Sequence, residues 1–177
     1  MEFDGLAAVR CWPVDVTIAG RQHRILARPA ADWIVAILAD TWSQIVPGLV
    51  DVDDDAITDR ILAGDITPHD QVVAARDAIA VAAGVPWWVA IRLVNVAAAQ
   101  ASVIGEVTLR GVDAQSVSFA AWCAAVYQAV TRNADEKERD RFDRDLRELP
   151  EGVPAEELYD EDAAADRFEA FFATRGG

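Results

Sequence analysis

The sequence predicts a mainly α-helical fold: a bundle of about five to seven helices with a small N-terminal β-hairpin. Three observations carry this. Apolar residues recur at spacings of three, four and seven along most of the chain, and proline and glycine punctuate it at helix-length intervals. Strict alternation is convincing in one place only, near the N-terminus. With 177 residues the chain is long enough to bury a core without disulfides or metals. Its two cysteines, Cys11 and Cys123, read as reduced thiols, the second within an apolar helical pattern.

In chain order, residues 14–27 alternate, with Val14, Val16 and Ile18 on one side and Gly20 at the turn, as a hairpin requires. A lone hairpin is marginally stable, so it must pack on the helices or on another chain. Pro29 suits a helix start, and Trp33, Ile34, Ile37, Leu38 and Ile45 extend that helix to a stop at Pro47 and Gly48. The acidic turn at 51–55 leads into a short helix over 56–62, where carboxylates favour the positive end of the helix dipole. Thr67 and Pro68 form a cap and first position for a helix reaching Ala83, with Gly84 as terminator. From Pro86 a central helix runs on towards Val107 with a stripe of Trp87, Ile91, Val94 and Ala98, and Ala97, Ala98 and Ala99 allow close approach. Ser116 is read as the cap of the next helix, in which Phe119, Trp122, Cys123, Val126, Tyr127 and Val130 follow one apolar face.

After Asn133 the composition becomes almost wholly charged, and only Phe142, Leu146 and Leu149 form an apolar edge, which predicts a solvated surface helix. These elements make up a helical domain over 1–149. Pro150, Gly152 and Pro154 then open a second region, 150–177, read as an acidic linker with an amphipathic helical arm carrying Leu158, Phe168, Phe171 and Phe172. No repeat at a period of solenoid length is visible.

A formal net charge of -14 and a pI near 4.4 argue against phosphate neutralisation, so no nucleic-acid partner is expected. The same charge is repelled by anionic membranes and steers basic protein partners. The N-terminus carries acids early and lacks a basic start followed by an apolar run, so the expected location is cytoplasmic. The most apolar stretch, 72–107, is interrupted by Arg76, Asp77, Arg92 and Glu106 and broken at Gly84 and Pro86. It therefore reads as buried core rather than a membrane span.

The sequence offers little for catalysis. Counted from Asp51 as a calcium loop, the sixth position is Ala56 where glycine is needed and the twelfth is Leu62 where a bidentate glutamate is needed. His23 and His69 have no partner at zinc-ligand spacing, the serines and Cys123 sit in no nucleophile motif, and Gly105, Gly111 and Gly152 form no phosphate-binding loop. The expectation is therefore a non-enzyme with no catalytic residues, no metal and no cofactor. Six tryptophans remain to be placed. Trp122 belongs to the core, whereas the adjacent Trp87 and Trp88 must diverge by about 100° on a helix. One of them is therefore open to a partner or to a second face of the core. The candidate partner-binding residues are Trp87, Trp88, Leu158, Phe168, Phe171 and Phe172, the last four being equally suited to docking on their own domain.

One family resemblance runs through these features. It rests on the turn Ile18-Ala19-Gly20, the helix containing Trp33, the segment Val46-Pro47-Gly48-Leu49 and the junction from Ala83-Gly84 to Trp87-Trp88. Leu109-Arg110-Gly111-Val112-Asp113, the helix holding Ala125-Val126-Tyr127, and the charged helix with Phe142, Leu146 and Leu149 before Pro150 complete it. In this order, over residues 14–154, the chain resembles the tail assembly chaperones of actinobacterial long-tailed phages and prophages, through motifs that are diffuse rather than chemically unique. The resemblance implies a non-enzymatic protein of the host cytoplasm that binds the aggregation-prone tape measure protein and assists recruitment of the tail tube protein. It also implies a longer form made by ribosomal frameshifting, with which Arg175-Gly176-Gly177 is compatible, and it leaves a homo-oligomer open. A structural virion component, such as a head-to-tail connector or minor tail protein, would use the same helices in a permanent ring. An enzyme of unrecognised type would need a deep polar pocket around His23, His69 or residues 51–55.

Overall fold

A computed structural model describes Cys11 and residues 13–39 and 55–150. Within them the fold is mainly helical, with one two-stranded antiparallel hairpin at its N-terminal end. Strands β1 (Val14–Ile18) and β2 (Arg21–Ile25) pair in the register Val14 to Ile25, Val16 to His23 and Ile18 to Arg21. The two turn residues, Ala19 and Gly20, both have positive φ (46° and 78°), as a tight two-residue hairpin turn demands. Alternation then puts Val14, Val16 and Ile18 on the buried face, while Arg24 makes a two-point contact with Asp15 across the outer face at 2.8 and 3.2 Å. The hairpin is stabilised from outside, because β1 lies against the helix Pro68–Ala83.

Seven helices follow among the described residues: α1 (Ala30–Leu38), α2 (Asp55–Leu62), α3 (Pro68–Ala83), α4 (Trp87–Ala99), α5 (Ala101–Leu109), α6 (Phe119–Thr131) and α7 (Glu136–Arg147). Their ends show why the chain breaks there. Thr67 and Asp70 form a reciprocal capping box at the start of α3, and Gly84 closes that helix in the left-handed conformation with its N–H donating to the Ala80 carbonyl. Asp135 and Glu138 do the same for the start of α7. The first turn of α1 has no side-chain cap. Its N–H groups at Ala30 and Ala31 donate instead to the carbonyls of Val117 and Ala114, both at 2.9 Å, which ties α1 to the loop before α6.

One continuous apolar core joins the hairpin to all these helices. The buried row of α3, Ala74, Ala75, Ala78, Ile79 and Ala83, is short-chained and lets the hairpin, α4 and α6 approach closely. At the other end of the core Trp33 of α1 stacks on Phe119 of α6 with ring centres 5.9 Å apart, and Phe119 in turn lies 6.4 Å from Trp122. Trp122 and Cys123 are core residues, as their phase in α6 predicts. Helix α7 is a surface element fixed by the buried Leu146, with Phe142 half-buried beside Tyr127 and Leu149, just past its end, 42% exposed. No single described helix is long and apolar enough to cross a membrane. Only α3 and α4 taken together reach that length, and they are bent by 72°.

Four sequence expectations need correction. Helix α1 ends at Leu38, with Ala39 (φ −77°, ψ 0°) as its C-cap, so the helix as described stops short of the expected Ile45. Residues 40–54, including Trp42, lie outside the described residues. The helix from Pro86 is not continuous to Val107, because Gln100 is extended (φ −126°, ψ 95°) and separates α4 from α5. The buried stripe of α4 is Val89, Ala90, Leu93, Val94 and Ala97, turned by about 100° from the expected one, and Ala98 and Ala99 face solvent. Two adjacent indoles are too bulky for the close contacts that α4 makes with α1, α3 and α6, so smaller side chains take the inner face. Finally, Ser118 rather than Ser116 caps α6 by accepting from the Ala121 N–H, while the Ser116 hydroxyl donates to the Asp113 carbonyl in the preceding turn.

The break at Gln100 has a packing cause. In an unbroken helix Val103 and Val107 would lie about 80° round from the Leu93–Ala97 row. Reorienting the second segment turns both valines inward against the core. The new direction is held on its polar side by Glu106, whose Oε1 accepts from Arg110 at 2.8 Å and from Arg132, the C-cap of α6, at 2.7 Å. The hydrogen bond from Arg132, followed by that from Arg110, holds the Glu106 carboxyl below its ordinary value of 4.5. A carboxyl whose folded value is lowered stabilises the fold above the unfolded value, and that contribution disappears as pH falls through the lower folded value. The difference in Tm between the native chain and Glu106→Gln is therefore expected to be small but present at neutral pH, since the arginines are partly solvated, and to vanish in acid. Thermal melts of both chains across that range check it.

Candidate functional site

Two surfaces of the helical body carry features that internal packing does not account for. The first is the α3–α4 junction. Gly84 reverses the chain, with the Ala120 Cβ 4.0 Å from where a side chain would start, and Pro86 sets Trp87 and Trp88 as the opening residues of α4. Their rings meet edge to face, 5.8 Å apart at 88°. Both are half-buried against the core, and the Arg76 guanidinium of α3 lies 4.6 Å above the Trp87 ring. Such a cation–π contact is worth about 0.5–1 kcal/mol where solvent reaches it. The Trp88 N–H is buried and has no hydrogen-bond partner among the described residues. Neither indole stands clear of the surface.

The second surface is the outer face of α5, within a stretch that the sequence reading assigned to the core. At about 100° per residue, Ala101, Ser102, Ile104, Gly105, Thr108 and Leu109 fill one continuous arc of about 160°, opposite the buried Val103 and Val107. All six are exposed and none is charged. Leu109 is 91% exposed and Ile104 40%, whereas the charged residue of this helix, Glu106, is engaged on the α6 side. The legible signal was the phase: Val103 and Val107 form one row at a spacing of four and Ala101 and Gly105 another, and only one of the two can face inward.

The residues considered for chemistry are dispersed in role. His23 is half-buried on β2 opposite Val16, and His69 is exposed in the first turn of α3. Cys123 is wholly buried, which pushes its thiol far up and leaves it protonated at neutral pH. The Tyr127 phenol is also pushed up, first by burial and then by its 2.9 Å hydrogen bond to Asp143. Among the described residues no group of three or more His, Cys, Asp or Glu side chains is placed to hold a metal ion.

No family model, curated protein or solved structure matches this chain.

Charge is unevenly distributed along the sequence. Residues 13–39 and 55–150 carry 13 basic and 16 acidic side chains, a net charge of -3. The remaining residues, 1–12, 40–54 and 151–177, carry 3 basic and 14 acidic, a net charge of -11. Most of the chain's net negative charge is thus carried by the residues that are not described. Of the candidate partner-binding residues, Trp87 and Trp88 are brought together with Arg76, while Leu158, Phe168, Phe171 and Phe172 lie outside the described residues.

Proposed function

We propose that this chain is a non-enzymatic protein-binding factor, and specifically a tail assembly chaperone that holds the tape measure protein soluble in the host cytoplasm and helps recruit tail tube subunits. The segregation of charge carries the binding reading. A nearly balanced helical body accompanied by segments of strongly negative charge suits a protein that attracts basic stretches of another chain and keeps the complex soluble. In the sequence the acidic stretch 156–162 precedes the aromatic residues Phe168, Phe171 and Phe172, a combination of steering charge and apolar side chains that suits capture of a helical partner. The narrower assignment rests on the order of motifs over residues 14–154 that resembles the tail assembly chaperones.

Co-expression with the longest coiled-coil protein encoded in the same gene cluster tests both levels. The expected result is that the coiled-coil protein becomes soluble only when this chain is present, and that the two copurify. Equal solubility with and without the chain, and no complex, would end the chaperone reading. Finding the chain as a stoichiometric component of purified particles would favour a structural virion protein instead.

A further inference from the structure

We propose that the joint at Gln100 is a two-state switch. In one state α4 and α5 break there, as in this structure; in the other they fuse into a single helix, Trp87–Leu109, that withdraws Val103 and Val107 from the core. The inference stands on the described helices alone and is independent of the chaperone reading. Nothing local asks for the break. Residues 96–104 contain no proline or glycine, and Ala97, Ala98, Ala99, Gln100 and Ala101 are all good helix formers. The local sequence favours one helix while the packing of two valines favours two, and such a conflict narrows the free-energy gap between the arrangements.

The joint is also poorly finished as a helix start. Side chains cap the other starts that follow a turn: Thr67 for α3, Ser118 for α6 and Asp135 for α7. Gln100 serves as C-cap of α4 and N-cap of α5 at once, and its side chain makes no capping hydrogen bond to α5. In an unbroken helix the N–H groups of Ala101, Ser102 and Val103 would donate to Ala97, Ala98 and Ala99. Here Val103 donates to the Gln100 carbonyl, and no backbone hydrogen bond from Ala101 or Ser102 crosses the joint. Fusion restores all three. The phase of α5 fits both states. With the break, Val103 and Val107 point inward, and Glu106 between Arg110 and Arg132 adds to their hold. Continued on the axis of α4, Ile104, Thr108 and Ala101 fall at about 20°, 60° and 80° from Leu93. They then lie inside the arc of about −40° to 100° occupied by the buried Val89, Ala90, Leu93, Val94 and Ala97. These three uncharged residues, exposed in the broken state, thus continue the inner face of α4 in the fused one. Reach does not prevent the change: residues 110–116, up to the Val117 that holds Ala30, extend to roughly 25 Å, against about 14 Å for α5 itself.

Double electron–electron resonance between spin labels at Asn95→Cys and Leu109→Cys, in the full chain with Cys11→Ser, reads the two states. Both label sites are exposed, and Cys123 is wholly buried. In the fused helix the two Cα atoms lie about 21 Å apart, and the break brings them closer. The labelled chain is expected to show both distances. Gln100→Ala, which cannot cap, should raise the fused share. Gln100→Ser, which caps α5 and is the poorer helix former, should lower it, with the ratio of fused to broken differing about tenfold between the two variants. Gln100 is exposed, so both variants should keep the native far-UV circular dichroism. A single distance in all three chains overturns the proposal. A fused share that is equal in the two variants, or higher with serine, overturns it as well.

Discussion

Replacing Phe119 with alanine is expected to destabilise the helical body by about 3–5 kcal/mol, among the largest effects of a single truncation in the core. Phe119 is 1% exposed and opens α6 directly after its Ser118 cap. Its ring stacks against Trp33 at 12° and lies near Trp122 at 18°, so removing it leaves a cavity walled by two rigid indoles that cannot collapse without moving α1. The loss is a large part of the roughly 5–15 kcal/mol that holds a domain folded. Urea unfolding followed by tryptophan fluorescence should show a strongly lowered midpoint. A shift equivalent to less than about 1 kcal/mol, the usual scale of surface substitutions, would mean that the stack is not the link between α1 and α6.

The second large effect is local. Leu146 is the buried residue of α7, and Leu146→Ala is expected to remove about 2–5 kcal/mol from the attachment of that helix. The other ties are polar or partly exposed: the Tyr127 hydroxyl donating to Asp143, the Tyr127–Phe142 ring contact at 6.1 Å, Arg92 donating to the Asp145 carbonyl, and Arg139 donating to the Thr131 carbonyl at 3.4 Å. They add little without the leucine, because ten charged residues in α7 gain nothing from burial. Amide exchange should therefore lose its protection over Glu136–Arg147 in the variant while α3 and α6 keep theirs. Loss of protection in every helix together would show instead that α7 belongs to the cooperative core.

Legibility followed the distance over which each element is determined. The hairpin, the Thr67 cap, the Gly84 terminator and the apolar face of α6 are set by residues within a few positions of one another, and the sequence displays them directly. The break at Gln100 has no proline or glycine to announce it. It exists because Val103 and Val107 must turn towards a core built from distant parts of the chain, so it is a tertiary decision. The same holds for the stripe of α4, where hydrophobicity favoured the indoles but close helix packing favoured valine and alanine. Ser116 and Ser118 both suit a cap, and only the geometry of the Asp113 turn decides between them. The exposed α5 face was hidden by composition, since apolar and small residues read as interior until the helix direction is known.

Binding through the acidic segments is the central claim, and it is tested most directly by neutralising one of them in the full chain. Glu156, Glu157, Asp160, Glu161 and Asp162 would be replaced by their amides, and the variant compared with the native chain in co-expression with the coiled-coil protein of the same gene cluster. If negative charge steers the partner and keeps the complex soluble, the native chain yields a soluble complex that weakens with added salt, and the neutralised chain yields much less of it. Equal recovery of a complex from both chains, with no dependence on salt, would contradict the account.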